Sequence, residues 1–302
     1  MALEANAYTV SDATTDKVIP SLYDEVAEKF LYETEVLRPL GADKSGMLLG
    51  KPGKSITVYK ETQFSVSGLV EGISTQVSAL DFANVELNVN WYGDAKQIGK
   101  ENLSYAFDFV WGDIREGAAK ALGENRDNVI MTELLNTTSL PIYPINTGTG
   151  AHYSDSDIPI AKGLSYKQIV EARTAMKKNK RVLQYVVVSP DQAGDLLNDE
   201  KFISSLYGAQ GTAINGQLGK MAGATFIESN TVQTTDEGSG DLVTVYNAIA
   251  LGPKAFLYAQ KVSPVFEFDE ETKRARSVTF HYYEAFGVKV FYNESIIVLK
   301  SS

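Results

Sequence analysis

Two histidines are the only imidazoles in the chain, and each marks a place where chemistry could sit. His152 lies three and five residues before Asp155 and Asp157, within a run punctuated by Pro141, Pro144, Gly148, Gly150 and Pro159. One imidazole and two carboxylates are a donor set that a divalent cation accepts. A metal-assisted hydrolytic site in the 137–163 loop is therefore one reading. Against it, no helix or strand is expected there to hold ligand geometry, and a solvated loop histidine explains the residue without a metal. His281 sits in the alternating run Ser277–Tyr282 beside Tyr283 and reads as a sheet residue, not as a base. Glycine-rich stretches offer no phosphate loop: Gly148-Thr149-Gly150 lacks the later glycine, and 208–219 lacks a Gly-Lys-Ser/Thr ending. A Gly-x-Ser-x-Gly nucleophile elbow is also missing. Lys177, Lys178, Lys180 and Arg181 form the sole basic cluster, where they complement the negative end of a helix or contact phosphates. Neither catalytic nor cofactor-binding nor metal residues are expected, and no cofactor.

Composition narrows the classes further. The 302 residues carry a formal charge of -10, so bulk electrostatics repel nucleic acid. Absence of cysteine excludes disulfides, thiol catalysis and cysteine-ligated zinc. No apolar run is long enough to span a bilayer, so no membrane partner is expected.

The elements that would have to position any site are organised around one long helix over 104–136. Leu103, Phe107, Val110, Ile114, Ala118 and Ala121 recur at helical spacing, continued by Val129, Ile130, Leu134 and Leu135. Such a helix is roughly 50 Å long. Before it, 16–37 carries a helical stripe that packs on its own core or reaches a neighbour. The segment 48–103 reads as β, with Ser55–Tyr59 and Val85–Trp91 as the two arms of a long ribbon. Val85, Leu87, Val89 and Trp91 are expected on one face. A two-stranded ribbon buries little by itself, so it folds back onto a larger sheet or lies on another chain. After the helix come a helix over 165–178, a strand over 185–188, and a helix over 190–197 capped by Ser189. Strands over 224–228 and 243–251 and a short helical stretch over 254–258 follow. The chain then returns to β: 265–269, 277–282, 287–292 and 296–299.

This order resembles the major capsid proteins of tailed bacteriophages. The resemblance rests on Leu69-Val70-Glu71-Gly72-Ile73-Ser74 with Val85–Gly93, on Tyr283–Val290 with Glu294–Leu299, and on Gly252-Pro253-Lys254-Ala255-Phe256. It implies an α+β shell fold: an N-terminal arm with helix (1–47), an extended β-loop (48–103), a peripheral domain with spine helix and closing strands (104–138 and 262–302), and an apical domain (139–261). The implied function is structural, a non-enzyme that self-assembles into an icosahedral head of hexamers and pentamers around double-stranded DNA. The implied place is the virion capsid, after synthesis and assembly in the bacterial host cytoplasm. Scaffolding and portal proteins are the implied partners, with DNA met only non-specifically. An encapsulating nanocompartment shell shares the fold and is the alternative. Leu69, Val70 and Ile73 are expected as apolar contacts at the ribbon tip, and Glu71 as an ion-pair or hydrogen-bond partner between subunits. Lys60 lies in the ribbon, but no asparagine can be assigned to it as a crosslinking partner.

Overall fold

A computed structural model describes residues 35–60, 82–99, 109–136, 141–144, 151–154, 162–199, 219–237, 243–271 and 277–302. The expected N-terminal helix, the ribbon tip with Leu69, Val70, Glu71 and Ile73, and Asp155 and Asp157 lie outside these residues.

Strands β1 (Ala42–Asp43), β2 (Ser55–Tyr59), β3 (Asn84–Asn88) and β4 (Asn90–Gly99) precede helix α1 (Phe109–Leu135). Helix α2 (Tyr166–Lys178), strand β5 (Tyr185–Val188) and helix α3 (Pro190–Asn198) follow. Next come β6 (Lys220–Met221), β7 (Ala224–Glu228), β8 (Thr234–Glu237), β9 (Val243–Leu251), β10 (Phe256–Glu271), β11 (Ser277–Val290) and β12 (Ile296–Ser301). They form a four-stranded sheet in the order β1-β10-β11-β4 and a six-element sheet β12-β9-β5-β7-β6 with β8 on β9. A separate ribbon pairs β2 with β3. The strand pairings are antiparallel except β1 with β10 and β5 with β7, which makes the fold α+β.

The six-element sheet is covered on both sides, and its alternation shows how. Val186 and Val188 of β5 face α2 and α3 through Ile169, Ala172, Met176, Ala193 and Leu196. Val187 faces the other way, with Ile249, Leu251 and Ile296, onto Ile130, Met131 and Leu134 of α1 and Phe256, Tyr258 and Phe286. Period two thus builds two cores from one strand. Both helices on the first face start at a Ser-x-x-Gln sequence. Gln168 accepts from the Ser165 N–H at 3.0 Å and Gln192 from the Ser189 N–H at 3.1 Å. That is the capping-box arrangement. Each buried amide then donates to β12: Gln168 to the Lys300 carbonyl at 3.0 Å, Gln192 to the Ser301 hydroxyl at 2.7 Å. Two helix starts are thereby pinned to one strand.

Several expectations change on folding. The stretch over 254–258 is not helical: Lys254 turns the chain with φ 52°, and β10 begins at Phe256. Every residue from Ala255 to Gln260 is buried, with Phe256 and Tyr258 against α1 and Leu257 and Ala259 against the ribbon base. A strand can bury both faces in that way; a five-residue helix cannot complete its own hydrogen bonds. The arms 277–282 and 287–292 merge into the single strand β11, antiparallel to β10 and β4. The last closing strand leaves that sheet. After the turn Asn293–Ser295, β12 pairs antiparallel with β9, its run Ile296-Ile297-Val298-Leu299 buried throughout.

Trp91 also departs from its expected face. The strand breaks at Val89, between ribbon and sheet, and the alternation slips by one residue. Leu87 is fully buried while Trp91 is 63% exposed. Tyr92 takes the inward position and stacks on Phe286 with centroids 4.5 Å apart. A one-residue slip reverses every side chain beyond it.

Candidate functional site

The enzyme reading meets its geometry at His152. Its Nδ1 lies 2.6 Å from the Tyr143 carbonyl oxygen, and its Nε2 lies 3.1 Å from a Glu171 carboxylate oxygen on α2. The imidazole ties the loop to a helix, with a carbonyl at one nitrogen and a carboxylate at the other. His281 occupies β11 opposite Ala95 and Glu267. Among the described residues, no group of three or more His, Asp and Glu is placed to hold a metal ion. A cleft of about 460 Å³ between α1 and the junction of β3 and β4 is lined by Asn88, Asn90, Asn125, Asn128, Thr132 and Glu133. It is rich in amides, and Glu133 there is paired with Lys289 at 2.7 Å.

The strongest electrostatic feature is structural. Arg126, in the middle of α1, is buried and donates through Nε to both Glu284 oxygens, at 2.7 and 3.0 Å. Its second and third nitrogens reach Glu284 at 2.7 Å and Glu35 at 3.0 Å. Next to it, buried Asp127 accepts from the backbone N–H groups of Val36 and Leu37 at 2.7 and 3.1 Å. One turn of helix therefore fastens the chain at 35–37 and the centre of β11 together. Burial opposes the Arg126 charge, but Glu284 and Glu35 outweigh it and hold the guanidinium pKa above its ordinary value. Burial pushes the Glu284 carboxyl up, against the pull of Arg126. The fork-to-carboxylate geometry favours the ionised form, which alone uses every short contact.

Sequence periodicity did not flag this cluster, though a trace of it was legible. Ala118, Leu122, Arg126, Ile130 and Leu134 share a spacing of four, so Arg126 falls on the apolar stripe itself. All five are buried. A charge in that line needs a partner. Glu284, among Tyr283, Ala285 and Phe286, is its counterpart on β11.

Tyr258 borders the same cluster, and its buried hydroxyl has no hydrogen-bond partner among the described residues. Burial pushes its pKa well up; Arg38 and Arg126 pull the other way. A folded-state value above the unfolded one contributes stability below about pH 10 that is lost as pH climbs from there toward the folded value. Tyr258→Phe is expected to leave stability at neutral pH unchanged or raise it by about 1 kcal/mol. It should also shift alkaline unfolding, followed by circular dichroism, to higher pH. A loss above about 2 kcal/mol at pH 7 would show that the hydroxyl has a partner after all.

What remains is surface. Seven large hydrophobic side chains stand exposed among the described residues, and five of them fall between residues 47 and 91: Met47, Leu49, Tyr59, Phe82 and Trp91. Tyr59 and Phe82 meet edge to face at 6.3 Å across the ribbon, where its two arms leave the described residues. Ile56 and Leu87 on the opposite side are buried against Leu48, Leu257, Ala259 and Phe291. So the ribbon base is anchored to its own sheet on one side and bare on the other.

Comparison with known proteins supplies the frame for this surface. Residues 84–298 match the family described as phage capsid protein. No curated protein sequence matches the chain. Among solved structures, one from Mycobacterium phage Che8 is 18% identical, with 93% of this chain and 96% of that one covered at a TM-score of 0.69. The capsid structure of Cyanophage P-SCSP1u is 15% identical, covering 99% and 97% at 0.71. The capsid of Helicobacter pylori bacteriophage KHP30 is 12% identical, covering 99% and 100% at 0.69. At such identities the likeness is one of fold. The family match spans most of the chain, takes in α1 and both main sheets, and agrees with a site whose short contacts hold elements together: the chain belongs to the phage capsid protein family and is a structural protein of the phage head shell.

Proposed function

We propose that many copies of this chain, as hexamers and pentamers, tile an icosahedral head around double-stranded DNA without performing catalysis. The exposed aromatic and apolar side of the ribbon base carries the reading. Exposed apolar side chains gathered at and beside one ribbon base mark an interaction site. Assemblies of this kind bury roughly 2,000 Å² or more per obligate contact. A formal charge of -10 keeps packaged DNA from adhering, so DNA is met non-specifically. Scaffolding and portal proteins are the further partners, and assembly takes place in the cytoplasm of the bacterial host. The division into arm (1–47), extended loop (48–103), peripheral domain (104–138 and 262–302) and apical domain (139–261) belongs to the same proposal, with β12 lending its pairing to the apical sheet.

Size-exclusion chromatography with light scattering, followed by negative-stain microscopy of the leading peak, tests the reading. Shells, tubes or rings of five or six are expected, with scaffolding protein supplied where needed. A small defined dimer that hydrolyses a substrate would overturn it. Within that assay, Leu69, Val70 and Ile73 are the proposed tip contacts and Glu71 the polar one. Aspartate at the three apolar positions is expected to stop growth beyond isolated rings while leaving the melting temperature in place. Normal shells from that variant would remove the tip from the interface.

A further inference from the structure

The Arg181 guanidinium lies 3.9 Å above the centre of the Tyr292 ring, and the Lys60 ammonium is 5.8 Å from the same ring. Lys60 follows β2 and Arg181 follows α2, so two distant segments bring cations to one aromatic. Lys254 adjoins them, because Phe291 and Tyr292 both donate to the carbonyl of Ala255, the next residue. Lys177 and Lys178, the last residues of α2, and Lys180 just beyond it extend the patch, all three exposed. Among the described residues none of these six cations has an ion pair with a carboxylate, although the chain holds 38 acidic residues against 28 basic ones. Glu294, two residues from Tyr292, is exposed and unpaired with them as well.

The helix dipole accounts for Lys177 and Lys178 alone, since its reach ends with the last turn. Arg181 spends the face of its guanidinium on Tyr292, and a stacked guanidinium keeps its in-plane N–H donors for an anion. Two exposed apolar residues flank the cations, Tyr59 beside Lys60 and Val182 beside Arg181. A surface that mixes apolar and cationic groups suits a protein partner, whereas nucleic-acid contacts are more uniformly polar and charged.

We propose that this patch is an assembly contact whose occupant is a carboxylate-bearing surface of a second copy of this chain; the inference rests on the shell-building reading. Copies that each carry -10 repel one another as whole bodies. Close packing requires that contacts be locally complementary, which fixes register and speeds encounter. A cation cluster with no ion pair among the described residues, in a protein with acid to spare, supplies one side of such a heterologous contact.

The test is K177E/K178E/K180E, three exposed positions that leave Arg181 and Tyr292 untouched. Circular dichroism should match that of the wild type, and the melting temperature should fall by only a few degrees as the charges in the last turn of α2 are reversed. The concentration at which light scattering reports particles should rise roughly tenfold at low salt. The gap should close at about 1 M salt, where the screening length is roughly 3 Å. If the triple variant assembles at the wild-type threshold, the patch is not a contact. If it assembles normally but its particles retain less DNA, the occupant is a polyanion and the proposal is overturned. If the wild type itself never forms particles, even with scaffolding protein, the shell reading fails and this one falls with it.

Discussion

Arg126→Ala will destabilise the protein by about 3–5 kcal/mol, the range for removing one partner of a buried ion pair. The cost has a definite origin. Glu284 is fully buried on β11, and after the substitution its carboxylate keeps its desolvation penalty without the guanidinium that offsets it. Glu35 loses its contact with Arg126 and keeps the longer one to Arg38 at 3.7 Å, leaving Asp127 to hold the chain at 36–37. Against a total stability of roughly 5–15 kcal/mol, that loss is large. Urea unfolding monitored by tryptophan fluorescence measures it. A second variant separates charge from packing. Arg126→Met with Glu284→Leu removes both charges while keeping bulk, and is expected to recover most of the lost stability, as buried pairs replaced by apolar groups often do. A single variant that costs under about 1 kcal/mol, or a double variant worse than the single, would show the cluster to be held in another way.

Gly287→Ala will cost about 2–3 kcal/mol through overpacking, and will cost assembly more than stability. A Cβ built on Gly287 would meet the carbonyl oxygen of Asn88 in direct overlap, its carbonyl carbon at 2.9 Å and a Leu87 methyl at 3.0 Å. The obstacle is mostly backbone, so no rotamer change relieves it. Asn88 is the last residue of β3, where the ribbon passes into the four-stranded sheet. Pushing it away tilts the ribbon, whose bare side is the proposed contact. Gly93 sits in a similar position on the next strand, where a Cβ would come within 2.5 Å of the Tyr282 carbonyl. The expected observation is a folded Gly287→Ala protein, with a melting transition shifted down by several degrees, that forms irregular or no shells. Regular shells at the wild-type threshold would mean that the ribbon tolerates the displacement.

Much of the fold was legible because its elements follow local rules. The helix at 166–178, the strands at 185–188, 224–228 and 243–251, and the alternation of 277–282 all lie where hydrophobic period and caps placed them. The Ser-x-x-Gln pairs at 165–168 and 189–192 mark both helix starts in the sequence itself. Misreadings came where partners, not periods, decide. The segment 254–258 looks helical for five residues until β11 is laid beside it. Trp91 continues an apolar alternation by type, yet the change of partner from β2 to β11 at Val89 turns it outward. Asp155 and Asp157, grouped with His152 by sequence, lie outside the described residues, and within those its partners are Tyr143 and Glu171.

The sequence by itself determined the class: an acidic, cysteine-free α+β chain with one long helix and motif order pointing to a capsid shell. Charge, cysteine content and the helix and strand periods depend on composition and on contacts a few residues apart, which spacing records directly, whereas the capsid shell was implied by resemblance to a family. Tertiary structure alone decided that Arg126 meets Glu284 across 158 positions, that Lys60 and Arg181 share the ring of Tyr292, and that Gly287 leaves room for Asn88. Residues so far apart in the chain leave no common period behind. Their pairing follows from which faces must be buried together, and that is settled only when the sheets and the helix close on one another.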